Sequence, residues 1–469
     1  MDRRLFLYTS LAASANLAAC GGGGKGSDAA AANLLPLAPA PIASQPIAPT
    51  TPAAEWPQDY VADTSGRIFY VSPAGNNNAA GSLAAPFATV SHAVTVVAAG
   101  DTIVLADGTY AEDVWLTQSG APGRYITLRA ANPGMAKLVG PLGSYSALAM
   151  ANVGWIRVQG LDVQAHLGHG IESNNSHHIQ LVGNTCHDCG GSGISLEAGD
   201  YYLVETNAVF RNASTNVHQT SGISIYQARA FDAAAGFHIV IRRNLVHSNV
   251  ESAAVVAAHS EGNGIILDDF HNSQGGATSG NYSGSTLVEN NIVAFNGGDG
   301  IAAYESDNVT VRHNTVAFNN TDLSNPATWR AELSSGQGRN NHWYNNLAVC
   351  NTQTSPNSNA LLEAVTDDFQ NTGAAWAGNL LFDVAAPTRN AVLVAGAGNT
   401  LSLTLVSSSN LLRQDPGFVL PLVAGQADTF RLAANSPAIN TALLAQAALV
   451  DYANQARGAQ PDIGAFERV

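Results

Sequence analysis

The sequence predicts an all-β solenoid, a parallel β-helix with a short N-terminal capping helix. Three observations predict this fold class: an Asn that recurs in register, a Gly-Ile pair that recurs between the Asn positions, and a composition poor in charge. Charged residues make up 12% of the 469 residues and Gly numbers 45, which favours stacked strands and tight turns over surface helices. A chain of this length exceeds one ordinary core, so an elongated repeat architecture is expected.

The first repeat places an Asn at one fixed position in six segments. The anchor residues are Asn184, Asn207, Asn244, Asn291, Asn314 and Asn346. Their spacings of 23, 37, 47, 23 and 32 residues indicate a base coil of 23 residues with inserted loops. Five residues after the anchors, Asn recurs at Asn212, Asn249, Asn296, Asn319 and Asn351, with Cys189 as the exception. A buried Asn can bond to the same residue one coil away, so we expect ladders that satisfy their own amides.

The second repeat is a Gly-Ile pair that opens a short alternating strand in each of five coils. The pairs begin at Gly170, Gly193, Gly222, Gly264 and Gly300. About three short strands per coil, stacked at roughly 4.8 Å, are what a parallel β-helix needs. Ahead of these coils, residues 67–71 predict a first strand, and the helical spacing of apolar residues in 87–99 predicts a short helix. That helix would cover the open end of the stack.

The N-terminal residues 1–20 have the features of an export signal. Arg3 and Arg4 precede an apolar stretch that is too short and too polar to be a stable membrane span. The start resembles a twin-arginine signal, and Leu-Ala-Ala-Cys resembles a bacterial lipobox, which predicts lipidation of Cys20. The alternative is an ordinary signal peptide that contains a Cys. Residues 21–58, rich in Gly, Ala and Pro, predict a flexible tether. The expected location is therefore the cell envelope, lipid-anchored, or the exterior by secretion.

Charge and cysteine content exclude several other classes. The net charge of −15 repels nucleic acid and anionic lipids, so we expect no nucleic-acid partner and membrane contact through the lipid anchor alone. Without Cys20, three Cys remain, an odd number that cannot form a complete disulfide framework. Zinc binding at Cys186 and Cys189 is not favoured, because Cys186 takes a position where other coils place Val or Ala in the core.

Segments at both ends of the chain resemble bacterial pectate-lyase-like β-helix proteins. The similar segments are 70–75, 86–89, 100–104 and 107–110 near the start, and 415–418, 436–439 and 462–467 near the end. The resemblance implies a right-handed single-stranded β-helix, formed here by residues 59–414, with 415–469 as a closing segment packed on it. It is specific for architecture and indicates no particular reaction, since one fold hosts many sites.

One outward column of the Gly-Ile strands is the predicted functional surface. Four places after the Gly, the column contains Asn174, Glu197, Tyr226, Asp268 and Tyr304. Carboxylates and tyrosines at coil spacing suit a sugar groove, because Tyr has an apolar face and a polar tip. The longest insertions flank the strand that ends in Asp268, and long loops on a rigid stack commonly build binding walls. His271 and Trp329 from such loops are predicted to join Glu197, Tyr226 and Tyr304 in substrate binding.

The preferred function is a polysaccharide lyase that cleaves a uronate-containing extracellular polysaccharide by β-elimination. In that mechanism Asp268, Asp269 and Glu305 are the predicted ligands of Ca²⁺, a hard cation that prefers oxygen. Arg330 is the predicted base or charge stabiliser, with Asp268 and Glu332 also assigned to catalysis. The resemblance is incomplete here, because calcium-dependent pectate lyases of this fold commonly use Lys or Arg as base and Lys137 lies too early in the stack.

Two other functions remain open. Asp268 and Asp269 are similar to the paired aspartates of the polygalacturonase group, which favours a glycoside hydrolase. However, Gly168-His169-Gly170 precedes the aspartates, the reverse of the order in that group, and no Arg-x-Lys follows. A non-catalytic surface protein that binds glycan is the other candidate, and we expect a monomer under each of these functions. For the individual residues, the paired Asp can simply cap a turn, and Arg330 and Glu332 can be a solvated pair on a loop.

Overall fold

A computed structural model describes residues 65–215, 220–252, 261–275, 277, 279–322, 324, 330–352, 362–367, 370–394, 409–419 and 421–468. The signal peptide, the tether, Cys20 and Trp329 lie outside these residues, so their predicted roles stay predictions. Within the described part of the chain, no helix has both the length and the apolar composition to cross a membrane.

The chain winds into three parallel sheets of 11, 10 and 11 strands, and each coil adds one strand to each sheet. The first sheet contains β1 Ile68–Val71, β2 Thr102–Leu105, β5 Ile126–Ala130, β8 Gly154–Gln159, β11 His177–Val182, β14 Asp200–Glu205, β17 Phe237–Arg242, β20 Ser285–Glu289, β23 Val309–Arg312, β26 His342–Tyr344 and β29 Ala375–Ala377. The second sheet contains β4 Val114–Leu116, β7 Ser146–Ala151, β10 His169–Asn174, β13 Ile194–Glu197, β16 Ile223–Tyr226, β19 Ile265–Asp268, β22 Ile301–Tyr304, β25 Ala331–Gly336, β28 Glu363–Asp367 and β31 Val392–Val394. The third sheet contains β3 Gly108–Ala111, β6 Ala136–Val139, β9 Asp162–Gln164, β12 Thr185–His187, β15 Ala208–Phe210, β18 Leu245–His247, β21 Ile292–Ala294, β24 Thr315–Ala317, β27 Leu347–Cys350, β30 Leu380–Asp383 and β32 Leu411–Leu412. The predicted right-handed parallel β-helix is confirmed.

The Gly-Ile repeat exists because the second sheet packs closely at the start of each strand. The Ile residues of all five pairs point inward and are fully buried. A Cβ added to Gly264 would lie 2.2 Å from Cγ1 of Val293 and 2.7 Å from the carbonyl oxygen of Gly300 in the next coil. Any side chain at that Gly would collide with its neighbours, so the repeat reflects packing inside the solenoid.

The predicted Asn ladder runs through the anchor positions. Nδ2 of Asn244 donates to Oδ1 of Asn291 at 2.9 Å, and the backbone N–H of Asn244 donates to the same oxygen at 2.9 Å. The other hydrogen of that amide goes to the carbonyl oxygen of Val204. Equivalent bonds join the anchors one coil after another and continue to Asn379 and Asn410. The amides therefore tie successive coils together regardless of the loop length between them.

The second Asn ladder ends differently from the prediction. It passes from Asn212 through Asn249 and Asn296 to Asn319, and Asn319 then donates its backbone N–H and Nδ2 to the carboxyl of Glu332. The predicted next member, Asn351, is exposed. A carboxyl from a neighbouring strand thus takes the accepting role of the Asn, because it reaches the same two donors.

A helix packs on the N-terminal coil of the solenoid, and the C-terminal segment packs along its side. Helix α1, Val90–Val96, is shorter than the predicted segment and buries Val90, Ala93 and Val94. Its N-terminal N–H groups at Val90 and Ser91 donate to the carboxyl of Glu112. After β32, the chain forms two 3₁₀ turns, Ala427–Phe430 and Leu444–Gln446, and packs on the outer face of the third sheet. The packing residues there include Phe418, Phe430 and Phe466 against Ile292, Leu347 and Phe382.

Candidate functional site

The outer face of the second sheet carries the predicted column in register. Strand pairing places Asn174 beside Glu197, Glu197 beside Tyr226, Tyr226 beside Asp268 and Asp268 beside Tyr304. The period-two alternation of strands explains this result, since the Ile and Leu positions between them point into the core. We call the surface formed by Glu197, Tyr226, Asp268, Tyr304 and Glu305 the Asp268 flank.

A second outward column forms the floor next to this flank. It consists of Ser195, Ser224, Ile266, Ala302 and Ser334, preceded by Glu172. Ser195, Ile266 and Ala302 are buried, while Ser224 and Ser334 are partly exposed.

Asp268 is a half-buried carboxyl whose pKa lies near neutral pH. Burial raises its pKa to about 7, with further increases from the negative charges of Asp269 and Glu305 and a decrease from its hydrogen bond with Gln274. Two coils away, burial and the charge of Glu172 raise the pKa of Glu197 to about 7 as well. A carboxyl with such a pKa can donate a proton at neutral pH, which an exposed Asp or Glu cannot do efficiently.

Gln274 connects Asp268 to Glu305. Its Nε2 donates to Oδ1 of Asp268 at 3.3 Å and to Oε2 of Glu305 at 3.1 Å. The two carboxyl oxygens are thus no further apart than the sum of those distances. Oγ of Ser273 lies 3.1 Å from Oε2 of Glu305 and 2.9 Å from Oδ1 of Asp269, and its single hydrogen bonds to one of them at a time. Sequence reasoning missed Gln274 and Ser273, although both follow the paired Asp directly in the long insertion.

Asp269 is a structural anchor for that insertion. One carboxyl oxygen accepts the backbone N–H and Oγ of Ser273 at 2.8 and 2.9 Å, and the other accepts Nε2 of Gln227 and the backbone N–H of Gln274, both at 2.8 Å. The residue is fully buried and has φ of 51°, in the left-handed region. This matches the turn-capping alternative for Asp269.

The predicted calcium site is not formed by these residues. The four hydrogen bonds to Asp269 occupy the carboxyl oxygens that a cation would need. Only the carboxyls of Asp268 and Glu305 then remain, and the amide of Gln274 bonds to both of them. Within the described ranges, no group of three or more His, Cys, Asp or Glu is arranged to hold a metal ion. The donor set of Asp268, Asp269 and Glu305 therefore does not fit Ca²⁺, which takes six to eight oxygen ligands.

Arg330 and Glu332 lie inside the structure and not on the Asp268 flank. Nη2 of Arg330 donates to the carbonyl oxygens of Asn320 and Asp322 at 3.1 and 2.8 Å, and the side chain is 1% exposed. Glu332 is equally buried in the Asn ladder, where burial raises its pKa to about 8. The sequence predicts Arg330 and Glu332 as catalytic residues or, alternatively, as an exposed ion pair on a loop. The structure shows neither arrangement, because Arg330 bonds to backbone carbonyls and Glu332 bonds to the Asn ladder.

The remaining predicted ligand-binding residues surround the flank unevenly. His271 is half-buried, with Nε2 2.8 Å from Oδ1 of Asp307. Tyr304 is 40% exposed, and its hydroxyl accepts Nε2 of Gln337 at 2.8 Å. Tyr226 lies among carboxyls, and burial together with their charges raises its pKa to about 12. Tyr304 thus offers the most accessible ring, while His271 is engaged with Asp307.

Comparison with known protein families identifies the architecture. The model of the Pel9A-like right-handed β-helix region matches residues 69–341. This chain belongs to the Pel9A-like β-helix family. The matched residues include every member of the Asp268 flank. Among curated proteins, the uncharacterized protein YwoF of Bacillus subtilis strain 168 is 42% identical over 65 residues, which span 14% of this chain and 14% of YwoF.

Several solved structures share the β-helix architecture. Pectate lyase Pel9A is 22% identical, with 86% of this chain and 96% of that chain covered and a TM-score of 0.47. XylC in complex with xylose is 10% identical, with 86% and 98% covered and a TM-score of 0.46. An alginate lyase from Paenibacillus sp. str. FPU-7 is 19% identical, with 59% and 95% covered and a TM-score of 0.35. At these identities the likeness bears on no particular reaction.

Proposed function

We propose that this protein is a polysaccharide-cleaving enzyme whose reaction takes place on the Asp268 flank. The single observation that carries the proposal is the position of the Asp268 carboxyl, in register between Tyr226 and Tyr304 on the outer face of the second sheet, where burial raises its pKa to about 7. Cleavage of a glycosidic bond requires a proton for the leaving oxygen, whether the bond breaks by hydrolysis or by elimination. Asp268 is the proposed general acid in either case.

Hydrolysis is the reaction that the site chemistry supports best. In it, a carboxylate oxygen of Glu305 attacks the anomeric carbon while the glycosidic C–O bond breaks and Asp268 protonates the departing oxygen. Water then cleaves the glycosyl ester and gives its proton to Asp268. Gln274 bonds to both carboxyls and so holds the proposed acid and nucleophile near the same glycosidic bond. This route requires that the product keep its anomeric configuration.

The charge of the flank supports a neutral glycan over a uronate in this mechanism. The groups that act electrostatically on Tyr226 are the carboxyls of Asp268, Asp269, Glu197 and Glu305. A polyuronate would add further negative charge to this surface. A neutral polysaccharide avoids that repulsion and can still bind through hydroxyl hydrogen bonds and ring contacts.

β-Elimination on a uronate glycan is the second candidate. Membership of a family named after the pectate lyase Pel9A supports it. Elimination needs a base at the carbon α to the carboxylate and a cation for the developing charge. Arg330, the predicted base, lies inside the structure, so under this candidate the base is another residue of the flank, with Tyr304 as the most accessible one.

The two reactions are separated by their products. Purified protein would be incubated with neutral glycans such as xylan and β-glucan and with pectate and alginate. Reducing ends without unsaturated sugars indicate hydrolysis, and unsaturated products detected by ultraviolet absorbance indicate elimination.

Asp268→Asn should lower either rate by about 100-fold or more. Asp188→Asn, on an exposed corner of the third sheet, is the matched control and should leave the rate unchanged. No products from any glycan, with retained glycan binding, would replace the proposal with the binding-only function.

We also propose, from the sequence alone, that Cys20 is lipidated and holds the enzyme at the cell envelope by the 21–58 tether. Mass spectrometry of the protein extracted from membranes would detect the acyl chains. Release of a Cys20→Ser variant into the soluble fraction supports the anchor, and an unmodified Cys20 in the mature wild-type protein contradicts it.

A further inference from the structure

Asp200 is a buried acceptor that ties three separate segments together. One carboxyl oxygen accepts the hydroxyl of Tyr282 at 2.6 Å and the backbone N–H of Tyr201 at 2.9 Å. The other accepts Nδ1 of His238 at 2.9 Å and the backbone N–H of Phe231 at 2.7 Å. Asp200 is fully buried, so water cannot replace these four donors if one of them is lost.

Tyr282 links this acceptor to the insertion that carries Ser273 and Gln274. It belongs to the segment between β19 and β20, and its backbone N–H donates to the carbonyl oxygen of Phe270 at 2.7 Å. The rings of Phe270 and Tyr282 pack edge to face at 5.2 Å. The two ends of the insertion are therefore fastened to each other, and the hydroxyl of Tyr282 fastens them to Asp200.

Asn272 provides a second attachment for the same segment. Its Nδ2 donates to the carbonyl oxygens of Gly280 at 2.9 Å and Ala228 at 3.0 Å. Ala228 lies in the loop that follows β16, the loop whose Phe231 N–H is held by Asp200. The two insertions thus brace each other, and both depend on the same buried carboxylate.

We propose that Tyr282 and Asp200 are positioning residues that hold Gln274 between Asp268 and Glu305. The proposal deepens the proposed function and rests on it for its catalytic consequence. The hydroxyl of Tyr282 touches no part of the Asp268 flank and acts through the insertion. Its loss frees the segment to move Gln274, whose amide is the donor shared by the two carboxyls.

The electrostatic surroundings of Asp268 give this proposal a specific readout. The acidic groups facing it are Asp269, Glu305 and Glu261, with Tyr226 adjacent in the column. The hydrogen bond from Gln274 lowers the pKa of Asp268, against the burial and negative charges that raise it. Displacement of Gln274 should therefore raise the pKa of Asp268. A general loss of stability should not change the pKa of Asp268 in the molecules that remain folded.

The test compares Tyr282→Phe with Tyr201→Phe. Both substitutions delete one hydroxyl from the same polar network, but that of Tyr201 bonds to Asp232 and His238, whereas that of Tyr282 bonds to Asp200. The titration of Asp268 would be followed by carboxyl ¹³C NMR in Asp-labelled protein, with Asp268→Asn identifying the signal. Hydrogen exchange of residues 270–275 would be measured in parallel.

Tyr282→Phe should raise the Asp268 titration midpoint by about half to one pH unit, the effect of one hydrogen bond, and speed exchange in the insertion. Tyr201→Phe should change neither. An unchanged Asp268 midpoint in Tyr282→Phe, or an equal shift in both variants, overturns the proposal. If Tyr282→Phe does not fold, Asn272→Ala replaces it, because this substitution removes the bonds from Asn272 to Ala228 and Gly280. The same rise in the Asp268 midpoint is expected, and an unchanged midpoint overturns the proposal.

Activity then separates this proposal from the proposed function. Where a glycan is cleaved, Tyr282→Phe should lower kcat about tenfold with little change in KM, since misplaced catalytic groups slow the chemical step. A wild-type protein that cleaves no glycan contradicts the proposed function, while the NMR and exchange results still decide whether Tyr282 positions Gln274.

Discussion

Replacement of Asn291 by Ala tests whether the amide ladder stabilises the solenoid. Oδ1 of Asn291 accepts the backbone N–H and Nδ2 of Asn244, both at 2.9 Å, and its Nδ2 donates to Asn314 Oδ1 and to the carbonyl oxygen of Ile241, also at 2.9 Å. After the substitution, Asn244 keeps Val204 as an acceptor for its amide, but its buried N–H loses its partner. The carbonyl oxygen of Ile241 loses its side-chain donor but remains in the ladder between β17 and β20.

One buried backbone N–H left without a partner predicts a loss of about 1–3 kcal/mol. Equilibrium unfolding in guanidinium would measure this loss. The stacked, fully buried rings of Trp343 and Trp376, 4.6 Å apart, provide a fluorescence signal from the same end of the solenoid. Asn351→Ala is the matched control, because Asn351 is exposed and lies off the ladder. It should change stability by less than about 0.5 kcal/mol. Equal unfolding midpoints for the two variants would refute the ladder argument.

Three further predictions follow from buried or crowded positions. Glu332 keeps its proton in the folded protein up to about pH 8, but ionises near pH 4.5 when unfolded, so it makes stability fall as pH rises across that window. Glu332→Gln should therefore gain stability relative to wild type between about pH 5 and pH 8, and a pH-independent difference in thermal unfolding would count against the raised pKa. Gly264→Ala should destabilise by about 1–3 kcal/mol in denaturant unfolding, because its Cβ would lie 2.2 Å from Cγ1 of Val293, while Gly140→Ala, with 3.3 Å to its nearest atom, should be much milder. If Asp268 is the acid, the rate of glycan cleavage should fall as pH rises through about 7, and a rate still rising at that pH would exclude the role.

Most of the fold was predictable because each repeated residue type makes the same contact in every coil. The Asn anchors kept their register through inserted loops, since each amide bonds to its counterpart in the next coil. The Gly of each Gly-Ile pair marks a point of close approach. The prediction was wrong at Asn351. The backbone N–H and Nδ2 of Asn319 bond to the carboxyl of Glu332, and the spacing of the Asn residues in the sequence does not indicate that contact.

The site was predictable only where it lies on strands. Alternation placed Asp268 and Tyr304 on the outer face in adjacent coils. The loop residues were harder, because the direction of an insertion is not encoded in a periodic pattern. Arg330 turns inward to backbone carbonyls, and Asp269 uses its oxygens to shape the turn instead of binding a cation. Gln274, the residue that joins the two carboxyls, has no repeat partner and gave no periodic signal.

In seven successive coils, the corner that follows the strand of the second sheet is made by one residue in the left-handed conformation, at Asn152, Asn175, Ala198, Gln227, Asp269, Glu305 and Gln337. The backbone shape of this corner is the same in the seven coils, while its side chains differ in size, charge and polarity. Because the backbone of the corner accepts different side chains, the residue beside each strand end can be substituted one coil at a time without a change in the fold of the solenoid. Evolution or design could therefore convert this surface between acidic, amide and basic forms by single substitutions, and the stack beneath would persist.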